Sequence, residues 1–481
     1  MDHLLSAAQK GQKPEFPADA DTLEYAQLLD SQDKLGHLKD QFNIPSKSSL
    51  KKKALDGTIP GESNTTSSDQ DDQTPSIYLV GNSLGAQPKS VKSRISAQLE
   101  TWASVGVGGH FTSMENSPLS AWQDLAESCA AKSLDLVGAS SAQEIIYMNT
   151  LTVNLHLMLA TFYRPTPQRH KIIIEWKPFP SDWYAVQSQL AFHNLSASDS
   201  LIEIQPSDPE TLYLSTESIL ATIDEHADSA ALLLLPGIQY FTGQLLDIPK
   251  ITAYAQSKGI IAGWDLAHAA GNVPLSLHEW NVDFAVWCTY KYLNAGPGAA
   301  AGLFLHERHH DRDGKVKNRL AGWYGADKSV RFNMEKEFVP SPGAWGYQLS
   351  NPSAVDLSCL DAALEVFGKT SMKELRGKAV VLTGYLEVLL KRLMNEGRGA
   401  APFRILTPES VEERGTQLSL MFTGAKGKEV LQRVSKVLAE NGVVCDFRKP
   451  DVMRVAPVPL YCGFEDVWKF VKVLKKGVEE S

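Results

Sequence analysis

The sequence predicts a doubly wound α/β domain with a large, mostly parallel sheet, joined to a smaller α+β domain. Three observations carry that expectation. The runs "HKIIIEW", "SAALLLLP", "GIIAGWD" and "VDFAVWC" are short and apolar and do not alternate with polar residues. Such runs suit parallel strands covered by helices on both faces. The segments between them are long enough for the crossover connections that parallel pairing requires. Beyond residue 345 the pattern changes to amphipathic helices and alternating strands.

Taken in order, residues 1–79 form an N-terminal segment whose first 44 residues read as partly amphipathic helix. Within it, residues 46–74 are rich in Ser and Asp and poor in large apolar residues, so a solvated, disordered insertion is expected. Residues 80–345 make the large domain and 346–481 the small one. In the latter, Leu375, Ala379, Leu382, Leu386, Leu389 and Leu393 recur at helical spacing, and Gly397 suits a C-cap. "TQLSLMFT" alternates as a half-exposed strand, "KEVLQRVSKVLAENG" is a helix, "VVCDFR" and "MRVAPVPL" are strands, and "EDVWKFVKVLKK" is the last helix.

Composition narrows the class. The chain has 481 residues, 43% of them hydrophobic, and a net charge of −9, with no basic stripe of the kind nucleic acid needs. No apolar run approaches the length of about 20 residues that spans a bilayer, and the first residues do not read as a secretion signal. Five scattered cysteines without a CxxC pair suit a reducing compartment and no structural metal, so a cytoplasmic protein is expected and the sequons at Asn64 and Asn194 carry no meaning. "HERHH" (His306–His310) satisfies HExxH, but it follows the strand-like "AAAGLFL" and runs into a charged turn, with no long helix to aim two histidines at a metal. "GVGGHF" places Phe111 where GxGxxG needs its last glycine, and no phosphate-cradling GxxxxGK[ST] occurs.

Parallel sheets bind ligands at the carboxyl ends of their strands. Two of those ends carry charge: Asp265 with His268 in "GIIAGWDLAHA", and Tyr290–Lys291 in "VDFAVWCTYK". A buried carboxylate and ammonium could be a plain ion pair. They could also serve pyridoxal phosphate, with Lys291 as Schiff-base amine and Asp265 keeping the pyridine nitrogen protonated. The rest of such a site can be sought. Leu151–Thr152 open an apolar helix suited to a phosphate. Phe179 and Asp182 in "FPSD" offer a flat face and an acceptor, and Arg454 lies inside an apolar strand as a carboxylate clamp would. Each piece also has a plain reading, as helix cap, core residue or partner of a structural carboxylate.

The motifs "YLVGNSLG", "LTVNLHL", "FPSD", "FTGQLLDIP", "WDLAHAAGNV", "CTYKYLNAGPG", "LAGWYG", "LSNPS" and "RVAPVPLY" together resemble the kynureninase family, fold-type I pyridoxal phosphate enzymes of the class V aminotransferase-like group. The resemblance covers residues 15–475 and leaves the polar insertion outside. It implies that Lys291 carries the cofactor, that Asp265 faces its ring nitrogen, and that Tyr290 works as acid and base. Leu151, Thr152, Phe179, Pro180, Ser181, Asp182, His268 and Tyr290 fall where the family holds the cofactor. Trp323 and Asn351 match cofactor-site residues that reach across a homodimer interface. His110, Ser350 and Asn351 match the lining of the substrate's aromatic end, and Arg454 its carboxylate clamp. One departure is Pro236, where some relatives carry a cofactor-contacting Ser.

The implied reaction is hydrolysis of L-kynurenine or 3-hydroxy-L-kynurenine to anthranilate or 3-hydroxyanthranilate plus L-alanine, in tryptophan catabolism and NAD biosynthesis. The polar trio His110, Ser350 and Asn351 favours the 3-hydroxy substrate. A cysteine desulfurase is the alternative within enzymes, since it shares Asp-x-x-His and a downstream lysine. A non-catalytic scaffold is the alternative outside them, and the intact Lys291, Asp265 and Arg454 argue against it.

Overall fold

The structure, a computed structural model, describes residues 1–59, 73–311, 318–334, 336–396, 401–424 and 426–479. By its packing the chain divides into two units, residues 90–240 with 245–372 and residues 1–89 with 241–244 and 373–481.

The first unit is built on a seven-stranded sheet. Its strands are β1 (Ile145–Met148), β2 (Lys171–Glu175), β3 (Leu201–Ile204), β4 (Ala230–Pro236), β5 (Ile261–Asp265), β6 (Phe284–Trp287) and β7 (Ala301–Leu305). They lie in the order β1-β7-β6-β5-β4-β2-β3. The run from β6 to β3 is parallel, and β7 is antiparallel to both its neighbours, so the expected mostly parallel sheet is present. Every residue of β1, β6 and β7 is buried, as unbroken apolar runs require. Two strand glycines make this packing possible. A Cβ at Gly263 would fall on the Phe284 ring, and one at Gly302 on the Trp287 indole. Helices α1 (Val91–Val105), α2 (Leu151–Phe162), α3 (Pro180–Phe192), α4 (Ile248–Ser257) and α5 (Ala354–Phe367) belong to the same unit.

The second unit holds α6 (Met372–Glu396, from Lys373 on), α7 (Gly427–Glu440), α8 (Phe464–Glu479) and a four-stranded antiparallel sheet. That sheet runs β8 (Phe403–Ile405), β9 (Leu418–Phe422), β11 (Val452–Val455), β10 (Asp446–Arg448). All six residues expected on the inner face of α6 are buried, from Leu375 to Leu393. The expected C-cap Gly397 lies outside the described residues. N-terminal helices Asp2–Gln9 and Leu23–Ser31 belong here too, with a 3-10 turn at Gly36–Gln41. Of the expected insertion, the described residues carry a 3-10 turn at Ser49–Lys51 and a bridge from Ser46 to Pro75, and residues 60–72 lie outside the description.

Packing groups the chain along other lines than the expected borders at 79/80 and 345/346, and pairing shows why. Ile77–Tyr78 pairs in parallel with Val443–Val444 in a two-stranded sheet of their own, which ties the N-terminal segment to the second unit. Helix α5 packs on α1 instead, where Arg94 Nε donates to the buried Asp361 at 2.7 Å. Strand β9 was expected half exposed, yet Ser419 is buried between Leu418 and Leu420. Its polarity is satisfied internally, since Ser419 N donates to Thr407 Oγ1 and Gln417 Nε2 donates to Ser419 Oγ.

The "HERHH" string is spent on structure. Glu307–His309 is a single 3-10 turn, too short for two histidines to share one helix face. Arg308 and His309 donate to Asp283 Oδ1, while Ala262 N and Gln256 Nε2 donate to its Oδ2. Burial alone would push this carboxyl up, but those four hydrogen bonds outweigh it and hold Asp283 at about 2. The stabilisation is therefore complete above pH 4 and lost as pH falls toward 2. Asp283→Asn is expected to lower unfolding stability by about 3 kcal/mol at pH 7. Denaturant titrations at pH 7 and pH 3 test this, and the variant should lag the parent less at pH 3.

Candidate active site

One cavity of about 280 Å³ opens at the carboxyl ends of the large sheet. Its wall combines the ends of β2, β4 and β5, the Cys288–Lys291 turn after β6, and the N-termini of α2 and α3. The topology explains this. Parallel strands deliver their last residues to one edge, and the following helices begin there with unpaired N–H groups pointing inward.

Lys291 is 9% exposed, and its Nζ donates to His268 Nε2 at 2.9 Å. The same Nζ sits 5.7 Å from the centroid of the Phe179 ring, which Tyr240 meets edge-on at 5.3 Å. Asp265 Oδ1 accepts from Ala267 N at 2.7 Å, which fixes the carboxylate at the strand end. Burial pushes the Asp265 carboxyl up, against the pull of the Lys291 ammonium, the Ala267 N–H and a hydrogen bond from Asp182. Asp182 is raised well above its usual range, first by burial and then by the Asp265 charge. Of the two carboxyls, Asp182 is thus the one driven more strongly toward its protonated form. Tyr290 is pushed up by burial and by the neighbouring Cys288, so its phenol is a proton donor at neutral pH.

The phosphate end has a different character. Helix α2 starts after Thr150, whose side chain does not cap it, and α3 starts at Pro180. The hydroxyls of Thr152 and Ser181 meet at 2.7 Å, linking the two helix starts. Backbone N–H groups, the helix dipole and two hydroxyls make an anion cradle.

Of the residues expected from sequence, Leu151, Thr152, Phe179, Ser181, Asp182, Asp265, His268, Tyr290 and Lys291 line this cavity together. Pro236 lines it as well and offers no polar side chain. Pro180 lies between lining residues as the first residue of α3. His110, Trp323, Ser350 and Asn351 do not line it. His110 is half-buried against Trp122 at 5.0 Å, Ser350 and Asn351 are exposed, and Trp323 is 52% exposed. Arg454 belongs to the other unit, where it is 1% exposed and donates to Asp446 Oδ2 across strands at 2.6 Å.

Sequence reasoning missed Glu175, a third buried carboxyl in the wall. The signal was available: "KIIIE" ends an apolar run on an acid in the way "IIAGWD" does. Elsewhere in the unit, Glu144, His278 and His306 bring three ligand atoms within 4.8 Å of one another. Glu144 is already saturated by Ser140 N, Ser140 Oγ, His278 Nδ1 and Glu307 N, and His306 Nδ1 accepts from Arg308 N. That cluster is a hydrogen-bonded core feature.

Comparison with known proteins agrees with this geometry. A family profile described as kynureninase C-terminal domain matches residues 375–474. The chain is 63% identical to Kynureninase 1 of Neurospora crassa, over 98% of each chain. It is 57% identical to Kynureninase 2 of Chaetomium globosum, over 99% of this chain and 98% of that one. Among solved structures, the cystine C–S lyase C-DES with glycine covalently linked to its PLP cofactor superposes with a TM-score of 0.65 at 17% identity, over 83% of this chain and 96% of that one. A cysteine desulfurase from Thermococcus onnurineus superposes at 0.63 and 15% identity, over 84% and 95%. At such low identity these two share the fold alone. With near-complete coverage at 63% identity, the chain belongs to the kynureninase family.

Proposed function

We propose that this chain hydrolyses the bond between the β-carbon and the γ-carbonyl of L-kynurenine and 3-hydroxy-L-kynurenine, using pyridoxal phosphate. One water is consumed, and the products are L-alanine and anthranilate or 3-hydroxyanthranilate. The observation that carries the reading is Lys291 facing a set of buried carboxyls in one cavity whose far side is an uncapped helix start. Pyridoxal phosphate fits these residues. Asp182 Oδ1 is buried without a hydrogen-bond partner among the described residues, and the anion cradle at Thr152 and Ser181 has the donors a phosphate takes.

Bound there, the cofactor supplies an electron sink for the pair released when carbon bonds break. Lys291 Nζ would hold the cofactor and would move the substrate's α-proton. The Asp265 carboxylate would serve the ring nitrogen and keep it charged, and Asp182, His268 and Phe179 would hold the ring. Tyr290 delivers its phenolic proton to the γ-oxygen side of the substrate and recovers it as water adds. The family resemblance makes Arg454 the expected clamp for the α-carboxylate, and within its own unit its guanidinium is held by Asp446 Oδ2.

The remaining residues complete the site in a homodimer, where Trp323 and Asn351 reach the partner's cofactor. Support comes from the surface, since Trp323, Phe332 and Phe111 are exposed yet meet edge-on in series at 6.0 and 5.4 Å. A cytoplasmic setting is supported by five unpaired cysteines. Among the described residues no helix is long and apolar enough to cross a membrane.

The cysteines also weigh against a desulfurase. That chemistry needs a reactive thiolate on an accessible loop, and burial raises all five thiols here. The test is anthranilate-type fluorescence and alanine released from each kynurenine, beside sulfide released from cysteine. Alanine without sulfide is expected. The kcat/KM should favour the 3-hydroxy substrate, and Asn351→Ala should cut that preference about tenfold, the worth of one hydrogen bond. Equal kcat/KM on both substrates in the parent protein would remove the polar trio from discrimination.

A further inference from the structure

Three acids crowd one end of the cavity, and the reaction as described uses only two. Glu175 ends β2, Asp265 ends β5, and β4 lies between these strands. Asp182 comes from the first turn of α3. The Glu175 side chain is 1% exposed, and Gln239, itself buried, donates through Nε2 to Oε2 at 3.0 Å and toward Oε1 at 3.4 Å. The same amide reaches Lys177 O at 3.3 Å, so the arrangement is anchored to the loop after β2. The charged groups facing Glu175 are Asp265, Asp182 and Lys177, with Lys291 across the same cavity.

Three ionised carboxylates beside a single ammonium in a dry cavity would cost several kcal/mol, so protons must stay behind. Asp182, the more strongly driven of its pair with Asp265, takes one of them. We propose that Glu175 is a positioning residue of the cofactor site: held by Gln239, it keeps a second proton beside Asp265, so that Asp265 alone meets the pyridine nitrogen as an anion. The inference rests on the cofactor reading given above. Its logic is electrostatic. A charged Glu175 would drive a proton onto Asp265, and a protonated Asp265 no longer sustains charge on the ring nitrogen.

The direction of titration agrees. Burial, with the Asp265 charge adding to it, raises Glu175 to about 8, although Gln239 and the Lys177 N–H pull downward. The unfolded chain releases this proton near pH 4.5 and the folded chain near 8. Folding therefore loses stability as pH rises through that window and levels off above it.

The experiment uses cofactor-free full-length protein and Glu175→Gln, which keeps shape and neutrality. Thermal melts from pH 5 to 9 should superpose at pH 5. At pH 8 the variant should melt several degrees above the parent. After loading with pyridoxal phosphate, the alkaline change in the visible band should move down by about one pH unit in the variant, which has no negative charge there to hold the proton. Superposable melting and absorbance profiles would overturn the proposal. Should Glu175→Gln not fold, Gln239→Leu serves instead: losing the amide that favours the charged form should carry the decline in stability to higher pH, and an unmoved midpoint overturns it. If the parent takes up no pyridoxal phosphate, the cofactor reading itself falls. If it does so on Lys291 while the pH profiles coincide, only the role of Glu175 falls.

Discussion

Lys291→Ala yields a folded protein that releases no measurable alanine from either kynurenine, a loss of at least about 10⁴-fold. The size follows from two functions resting on one amine, which holds the cofactor and then shuttles a proton. Folding survives because the ammonium is not a structural cross-link. Its contacts are His268 at 2.9 Å and the face of Phe179, and both neighbours keep other packing. The Asp265 and Asp182 carboxyls can take up a further proton when the positive charge goes. Pyridoxal phosphate should still associate through the Thr152 and Ser181 cradle, but without a covalent bond. Borohydride treatment followed by peptide mapping should label the Lys291 peptide in the parent and no peptide in the variant. Activity within tenfold of the parent, or a label on another lysine, would remove Lys291 from its role.

The strands that frame this site were legible because burial on both faces leaves no room for alternation. "GIIAGWD" and "VDFAVWC" could only be interior strands; the first ends on Asp265, and the turn after the second carries Tyr290 and Lys291. The antiparallel β7 was readable as a strand, "AAAGLFL", but its direction is set by the short return from β6, which no local pattern encodes. The same holds for the units. Ile77–Tyr78 looks like a linker until Val443–Val444, over 360 positions away, pairs with it. Ser419 was misread because an internal hydrogen bond and a water-facing side chain leave the same trace in sequence. Glu175 was overlooked for a related reason, since a lone acid at a strand end reads as a solvated charge until two others are placed around it. Motif resemblance gave Trp323, Ser350 and Asn351 roles at the site, yet all three are exposed and none lines the cavity.

Asp265→Asn should bind pyridoxal phosphate and substrate yet lose about 10³-fold in kcat, with KM changed only a few-fold. The substitution is nearly isosteric, and the amide oxygen can still accept the Ala267 N–H that fixes the side chain at 2.7 Å. On the proposed reading, what disappears is the negative charge that serves the ring nitrogen. An uncharged ring is a poor acceptor for the electron pair freed from carbon, so the loss falls on the reacting state and spares the bound one. Asp182 limits the damage. It is kept protonated by burial and by the Asp265 charge, so removing that charge lets it ionise and stand in from a worse position. Asp265→Asn combined with Asp182→Asn should therefore fall further than Asp265→Asn alone, although each changes the same small group. Steady-state kinetics on the single and the double variant, beside the parent, decide the matter. A near-normal kcat for Asp265→Asn would mean that the ring nitrogen faces some other group, and Asp182 would be the first to examine.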